Sequence, residues 1–155
     1  MRLGGPVYPR ELDPRAWAAR AREMGYRAVN CPLDADADDG TVRAYVRAAR
    51  DADLVIAEVG AWSNPISPDA QTARAAIALN QARLALADRV GARCCVNIAG
   101  SRGERWDGPD PANLSEDTFC LIVETVREII DAVRPTRTYY TLETMPWVFP
   151  DSAQS

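Results

Sequence analysis

Histidine and lysine are both missing from this chain of 155 residues. Without imidazole, the usual structural zinc arrangements are excluded. The four cysteines (Cys31, Cys94, Cys95 and Cys120) show no C-x-x-C spacing and read as small buried hydrophobes. All positive charge rests on arginines scattered along the chain, and the net charge is −4, so there is no electrostatic footprint for nucleic acid or acidic lipid. No apolar run approaches the roughly 20 residues of a membrane helix, and the start, MRLGGPVYPR, has no apolar signal region. The expectation is a cytoplasmic protein without membrane or nucleic-acid partners. With 47% hydrophobic residues, the chain can bury one substantial core, and no linker or low-complexity segment divides it.

The clearest element is a helix over 115–133, in which Phe119, Ile122, Val126, Ile129 and Val133 form one apolar stripe. Ser115 can cap its free amides, Glu116 and Asp117 suit the positive end of the dipole, Leu114 and Phe119 are spaced as a hydrophobic staple, and Pro135 ends it. Asp13 and Pro14 open another helix, closed by Gly25, and Ser67 and Pro68 open a long one closed by Gly91. A shorter helix over roughly 41–50 carries Val42, Tyr45, Val46 and Ala49 on one face.

Five short runs without helical period alternate with these helices: 3–8, 26–31, 53–59, 93–99 and 137–143. The order is β-α-β-α-β-α-β-α-β, which calls for a parallel sheet with right-handed crossovers. A doubly wound, flavodoxin-like sheet has a similar length, but no glycine-rich phosphate loop or nucleophile elbow follows any strand here. Alternation within the later strands favours a barrel. Val96 and Ile98 oppose Cys95, Asn97 and Ala99, and Tyr140 and Leu142 oppose Tyr139, Thr141 and Glu143. One face is expected to be apolar against helices and the other polar near its end, lining a site at the carboxyl ends of the strands. The expected fold is α/β, a partial (β/α)8 barrel of about five parallel strands and four helices.

The segments LGGPV, AEVGAWSNP, CVNIAGSRG, WDGP and YTLETMPW carry a resemblance over nearly the whole chain. They resemble the sugar isomerase/epimerase superfamily of xylose-isomerase-like TIM barrels, which also includes endonuclease-IV-type DNA-repair enzymes. The resemblance implies that Glu143, at the end of the fifth strand, is a ligand of a divalent metal (manganese, magnesium, cobalt or zinc) and a base in proton transfer. It also implies that the remaining ligands come from a sixth, seventh and eighth strand. A typical barrel needs ~250 residues, so residues 1–150 are expected to be the N-terminal portion of such a domain, with 151–155 as a tail. The isolated chain is then expected to bind metal weakly or not at all and to lack turnover.

Other candidates come from position. Glu58 and Asn97, at the ends of the third and fourth strands, are expected to point into the same mouth as Glu143, where they would bind sugar hydroxyls or orient a metal ligand. They would equally satisfy neighbouring backbone. Asn30 is analogous in the second strand. Trp62, Trp106 and Trp147 lie in loops after strands, where their faces suit the C–H face of a sugar or the packing of a lid, whereas Trp17 reads as core. Arg102 and Arg105 offer a phosphate or carboxylate contact, or simply charge on an exposed, flexible loop. The leading reading is a metal-dependent isomerase or epimerase acting on a sugar or sugar phosphate, present in part. The alternative is a non-catalytic binding or assembly protein, in which two half-barrels pair or one docks on a partner; under the leading reading, self-association or a missing C-terminal half is expected. An endonuclease-IV-like phosphodiesterase fits less well, since it needs several histidines and a cationic surface.

Overall fold

The order in which strands lie side by side separates a barrel wall from an open sheet. A computed structural model describes residues 1–154. Its five strands are β1 (Gly4–Gly5), β2 (Ala28–Asn30), β3 (Val55–Gly60), β4 (Cys94–Asn97) and β5 (Tyr139–Leu142). They are parallel and adjacent in chain order, β1-β2-β3-β4-β5. A flavodoxin-like sheet would reverse at a switch point. The unbroken order is that of a barrel wall.

Helices α1 (Pro14–Glu23), α2 (Asp39–Asp51), α3 (Ala70–Val90) and α4 (Glu116–Val133) make the crossovers. Each starts where a side chain can take up free amides. Asp13 accepts from Arg15 and Ala16 at 2.9 and 3.0 Å, and Asp38 accepts from Gly40 and Thr41 at 2.7 and 3.0 Å. For α3 the cap is Asp69, which accepts from Thr72 at 2.7 Å. Ser67 is one step removed, its hydroxyl accepting from the Asp69 amide. Ser115 caps α4 as its spacing predicts. Gly25 and Gly91 follow α1 and α3 at φ 78° and 70°, where a side chain would be strained. Among the described residues, no helix is long and apolar enough to cross a membrane.

The main core lies between sheet and helices, where Trp17, Val29, Ile56, Val59, Leu84 and Ile129 are essentially sealed from solvent. Trp17 meets Tyr45 edge-on at 5.3 Å, and the Tyr45 hydroxyl donates to the Leu12 carbonyl at 2.6 Å. A smaller cluster of Ile66, Ala99, Ile122 and Val148 draws the segment after β5 over the ends of β4 and β5. Cys95 is buried as expected and Cys31 and Cys94 are partly so. Cys120 is exposed, because the outward side of α4 carries it.

Strand register corrects one expectation from alternation. Cys95 pairs with Tyr140 and Asn97 with Leu142, while Val96 pairs with Thr141. Asn97 therefore shares the helix-covered side with Tyr140 and Leu142 and does not share the side of Glu143. That covered side is not uniformly apolar, which is why a hydrophobicity pattern alone assigns β4 the wrong way round.

Candidate functional site

The lumen-facing side of the wall carries Glu58 and Gly60 of β3, opposite Cys94 and Val96 of β4. Thr141 of β5 lies on the same side, and Glu143 follows two residues later, its amide donating to the Asn97 carbonyl at 2.8 Å. This last bond extends the β4–β5 ladder one step past β5, so that Glu143 keeps the inward register.

A register shift between Val29 and Asn30 sets Asn30 opposite Glu58. The Asn30 amide donates to the Glu58 carboxylate at 2.8 Å. Burial pushes the Glu58 carboxyl above its ordinary value of 4.5, and the neighbouring charge of Glu143 adds to the rise. Glu143 itself is exposed. Among the described residues its carboxylate has no hydrogen-bond or ion-pair partner. Two carboxylates thus face one mouth without a compensating cation.

Trp62 lies across Gly60: a methyl group on that glycine would come within 2.4 Å of the indole nitrogen. The ring stays 46% exposed and so offers a free surface beside the carboxylates. Trp106 is also exposed, on the loop after β4. Trp147 packs into the smaller core cluster, its indole N–H buried without a partner. Trp17 is core. The arginine pair does not converge on the mouth: Arg102 donates to the Ile66 carbonyl at 2.6 Å, and Arg105 pairs with Asp107 at 3.5 Å in the open.

Asn97 is fully buried and acts on the loop after β3. Its side-chain oxygen accepts from the Ser63 amide at 3.1 Å, and its amide donates to the Ser63 carbonyl at 3.2 Å. Ser63 is held again by Asn80 of α3, whose amide donates to the Ser63 hydroxyl at 2.8 Å. The Asn80 oxygen accepts from the Tyr140 hydroxyl at 2.7 Å. One residue along, Asn64 donates to the Ser101 carbonyl and accepts from the Ser101 amide at 2.8 and 3.0 Å, tying the β3 loop to the β4 loop. Asn113 closes the β4 loop on itself through Arg102 and Gly108. Every one of these asparagines is buried; Asn64, Asn97 and Asn113 satisfy loop main-chain groups, and Asn80 joins two side-chain hydroxyls. The loop over 100–110 is anchored, not free.

Asn64, Asn80, Asn113 and Tyr140 escape a reading based on strand ends. Asn80 had a usable signal: it falls on the apolar stripe of α3 with Ala76, Leu84 and Ala87, where a polar residue needs a dedicated partner.

Among the described residues, no three acidic, cysteine or histidine side chains converge as a metal cluster. The donors at the mouth are the Glu143 carboxylate and the Glu58 carboxylate, the latter already engaged by Asn30. Two carboxylates are fewer protein donors than a hard divalent cation needs to be enclosed.

A search of curated proteins finds no match. Solved structures do match. A putative xylose isomerase from Rhodospirillum rubrum aligns with 99% of this chain and 58% of its own, at 18% identity and a TM-score of 0.75. A D-psicose 3-epimerase from Clostridium cellulolyticum, solved with D-tagatose, aligns with 93% of this chain and 52% of its own, at 17% identity and a TM-score of 0.66. A xylose isomerase-like TIM barrel protein from Mycobacterium smegmatis, solved with magnesium, aligns with 97% of this chain and 57% of its own, at 16% identity and a TM-score of 0.62. The chain thus spans between half and three fifths of each of these structures, and the likeness is one of fold. Residues 18–154 also match the family profile described as xylose isomerase-like TIM barrel. The chain belongs to the xylose isomerase-like TIM barrel family.

Proposed function

We propose that this chain forms one wall of a sugar isomerase or epimerase site, with Glu143 as its proton-transferring carboxylate. The observation that carries the reading is the uncompensated Glu143 carboxylate at the carboxyl end of β5, beside a Glu58 whose carboxyl is raised by burial and by Glu143. Barrel enzymes place reactive groups at this end of their strands. A carboxylate there can remove the proton from a carbon next to a carbonyl, a role worth roughly 10²–10⁴-fold in rate.

Glu58, protonated more readily than an ordinary glutamate and held by Asn30, would donate a hydrogen bond to the oxygen that gains charge. Trp62 and Trp106 would cover the C–H face of the sugar, and Trp147 would pack beneath the loop after β5. Asn97 would act at one remove, by fixing Ser63 and so the Trp62 loop. A divalent cation such as manganese, magnesium, cobalt or zinc, with Glu143 as one ligand and the others from outside residues 1–154, would polarise the substrate oxygens.

The rest of the barrel would come from a C-terminal half or from another copy. In favour of such assembly, Tyr139 on the edge strand β5 is 75% exposed on the lumen side, and an uncovered parallel edge invites pairing. The same observation favours the second reading, a half-barrel that only binds or assembles. The test is co-expression with the C-terminal half of a related barrel, followed by calorimetric titration with manganese and an assay on ketohexoses. Weak metal binding and no turnover by the chain alone, with both gained in the pair, is the expected result. Tight stoichiometric metal binding by the chain alone, or a pair that assembles without turnover, would overturn it, the latter in favour of the binding reading.

A further inference from the structure

We propose that the groove between α1 and α2 receives the α4 face of a second copy of this chain. The groove measures about 760 Å³. Ala18, Ala44 and Ala48 give it a floor of small residues, and Arg15, Arg43 and Arg47 line it with two acids that are already engaged, Asp13 by the α1 amides and Asp51 by Arg50. None of these three guanidinium groups has a hydrogen-bond or ion-pair partner among the described residues. Other arginines are spent on the fold: Arg83 donates to the Leu33 carbonyl and pairs with Asp34, and Arg89 pairs with Asp39. Arg43 and Arg47 stand one helical turn apart, a like-charge spacing that costs stability unless an anion meets it.

The matching face is on α4. Asp117, Glu124, Glu128 and Asp131 are exposed, and among the described residues no cation pairs with them. Glu124 and Glu128 repeat the one-turn spacing of Arg43 and Arg47, about 5–6 Å in each case. Two charge pairs can therefore form in one docking. The alanine floor has no bulk to hold a helix away, and interaxial distance follows the side chains at the contact. Cys120, small and exposed on the same α4 face, would sit over that floor. A free anion would meet the arginines but leave the alanines uncovered. Groove and α4 are different surfaces, so the contact is heterologous and can propagate beyond a pair.

Sedimentation of the full chain at micromolar concentration tests this. Association is expected that weakens at high salt and falls about tenfold or more in either Arg43→Glu/Arg47→Glu or Glu124→Arg/Glu128→Arg, and that returns when all four changes are combined. These readouts need no variant that disturbs the core, and circular dichroism checks the helix content of the reversals. A monomeric parent chain, association untouched by the reversals, or no recovery when all four changes are combined would overturn the proposal. Association untouched by both salt and reversals would point to the strand edges instead, and would leave the reading of the Glu143 site standing.

Discussion

The Asn30 amide donates to the Glu58 carboxylate at 2.8 Å across the one register shift between β2 and β3. The shift brings the two side chains into line, and the bond fixes Glu58 in a partly buried position beside the charge of another acid, Glu143.

A folded-state pKa raised above the unfolded value means that the fold binds the Glu58 proton more tightly. Its contribution to stability is full below the ordinary value of 4.5 and is lost as pH rises through the raised value. Glu58→Gln should therefore be more stable than the parent at neutral pH, with the difference vanishing in acid, as read by urea unfolding across pH. The Glu58 carboxyl resonance should titrate above 4.5, and lower in Glu143→Gln than in the parent. An unmoved midpoint in that variant would separate the two acids.

Tyr140 and Tyr139 are neighbours with opposite environments. Tyr140 gives its hydroxyl to the buried Asn80, whereas Tyr139 projects into solvent. Tyr140→Phe should cost about 1–3 kcal/mol, because the Asn80 oxygen is left buried without a donor. Tyr139→Phe should be neutral. Thermal unfolding of the two variants side by side decides it.

Gly100 has φ 106°, and a methyl group there would lie 2.1 Å from the Asn64 oxygen. Gly100→Ala should lose about 2–3 kcal/mol through backbone strain and the displaced Asn64–Ser101 pair. Amide exchange in the loops after β3 and β4 should rise together, since Asn64 joins them. Faster exchange in only one loop would contradict that link.

Thiol reactivity follows exposure. Cys120 should react first with iodoacetamide. Cys95, buried and pushed up to about 12 by that burial, should stay unmodified until the chain unfolds. Peptide mapping after timed labelling reads the order.

Much of the frame was legible in the sequence because capping residues, turn glycines and apolar periods are local signals. Ser115 to Pro135 encloses α4, and the alternation of elements implies the parallel order. Strand facing was not legible at Asn97. Its side chain is polar, yet it turns to the helix layer because Ser63 offers both a donor and an acceptor there. Such a partner, distant in the chain, leaves no trace in strand alternation. For the same reason the site is only half readable: Glu143 and Glu58 announce themselves as carboxylates at strand ends, while the loop partners that Asn64, Asn97 and Asn113 hold are visible only once the loops are in place.

Proton exchange tests the role of Glu143 most directly. The chain and its Glu143→Gln variant, each paired with the C-terminal half of a related barrel, would be incubated with a ketohexose and manganese in deuterium oxide. Deuterium is expected at the carbon next to the carbonyl with the parent pair, and incorporation reduced by about 10²-fold or more with the variant pair, since the amide keeps the shape but has no basic oxygen. Equal incorporation by the two pairs would contradict it.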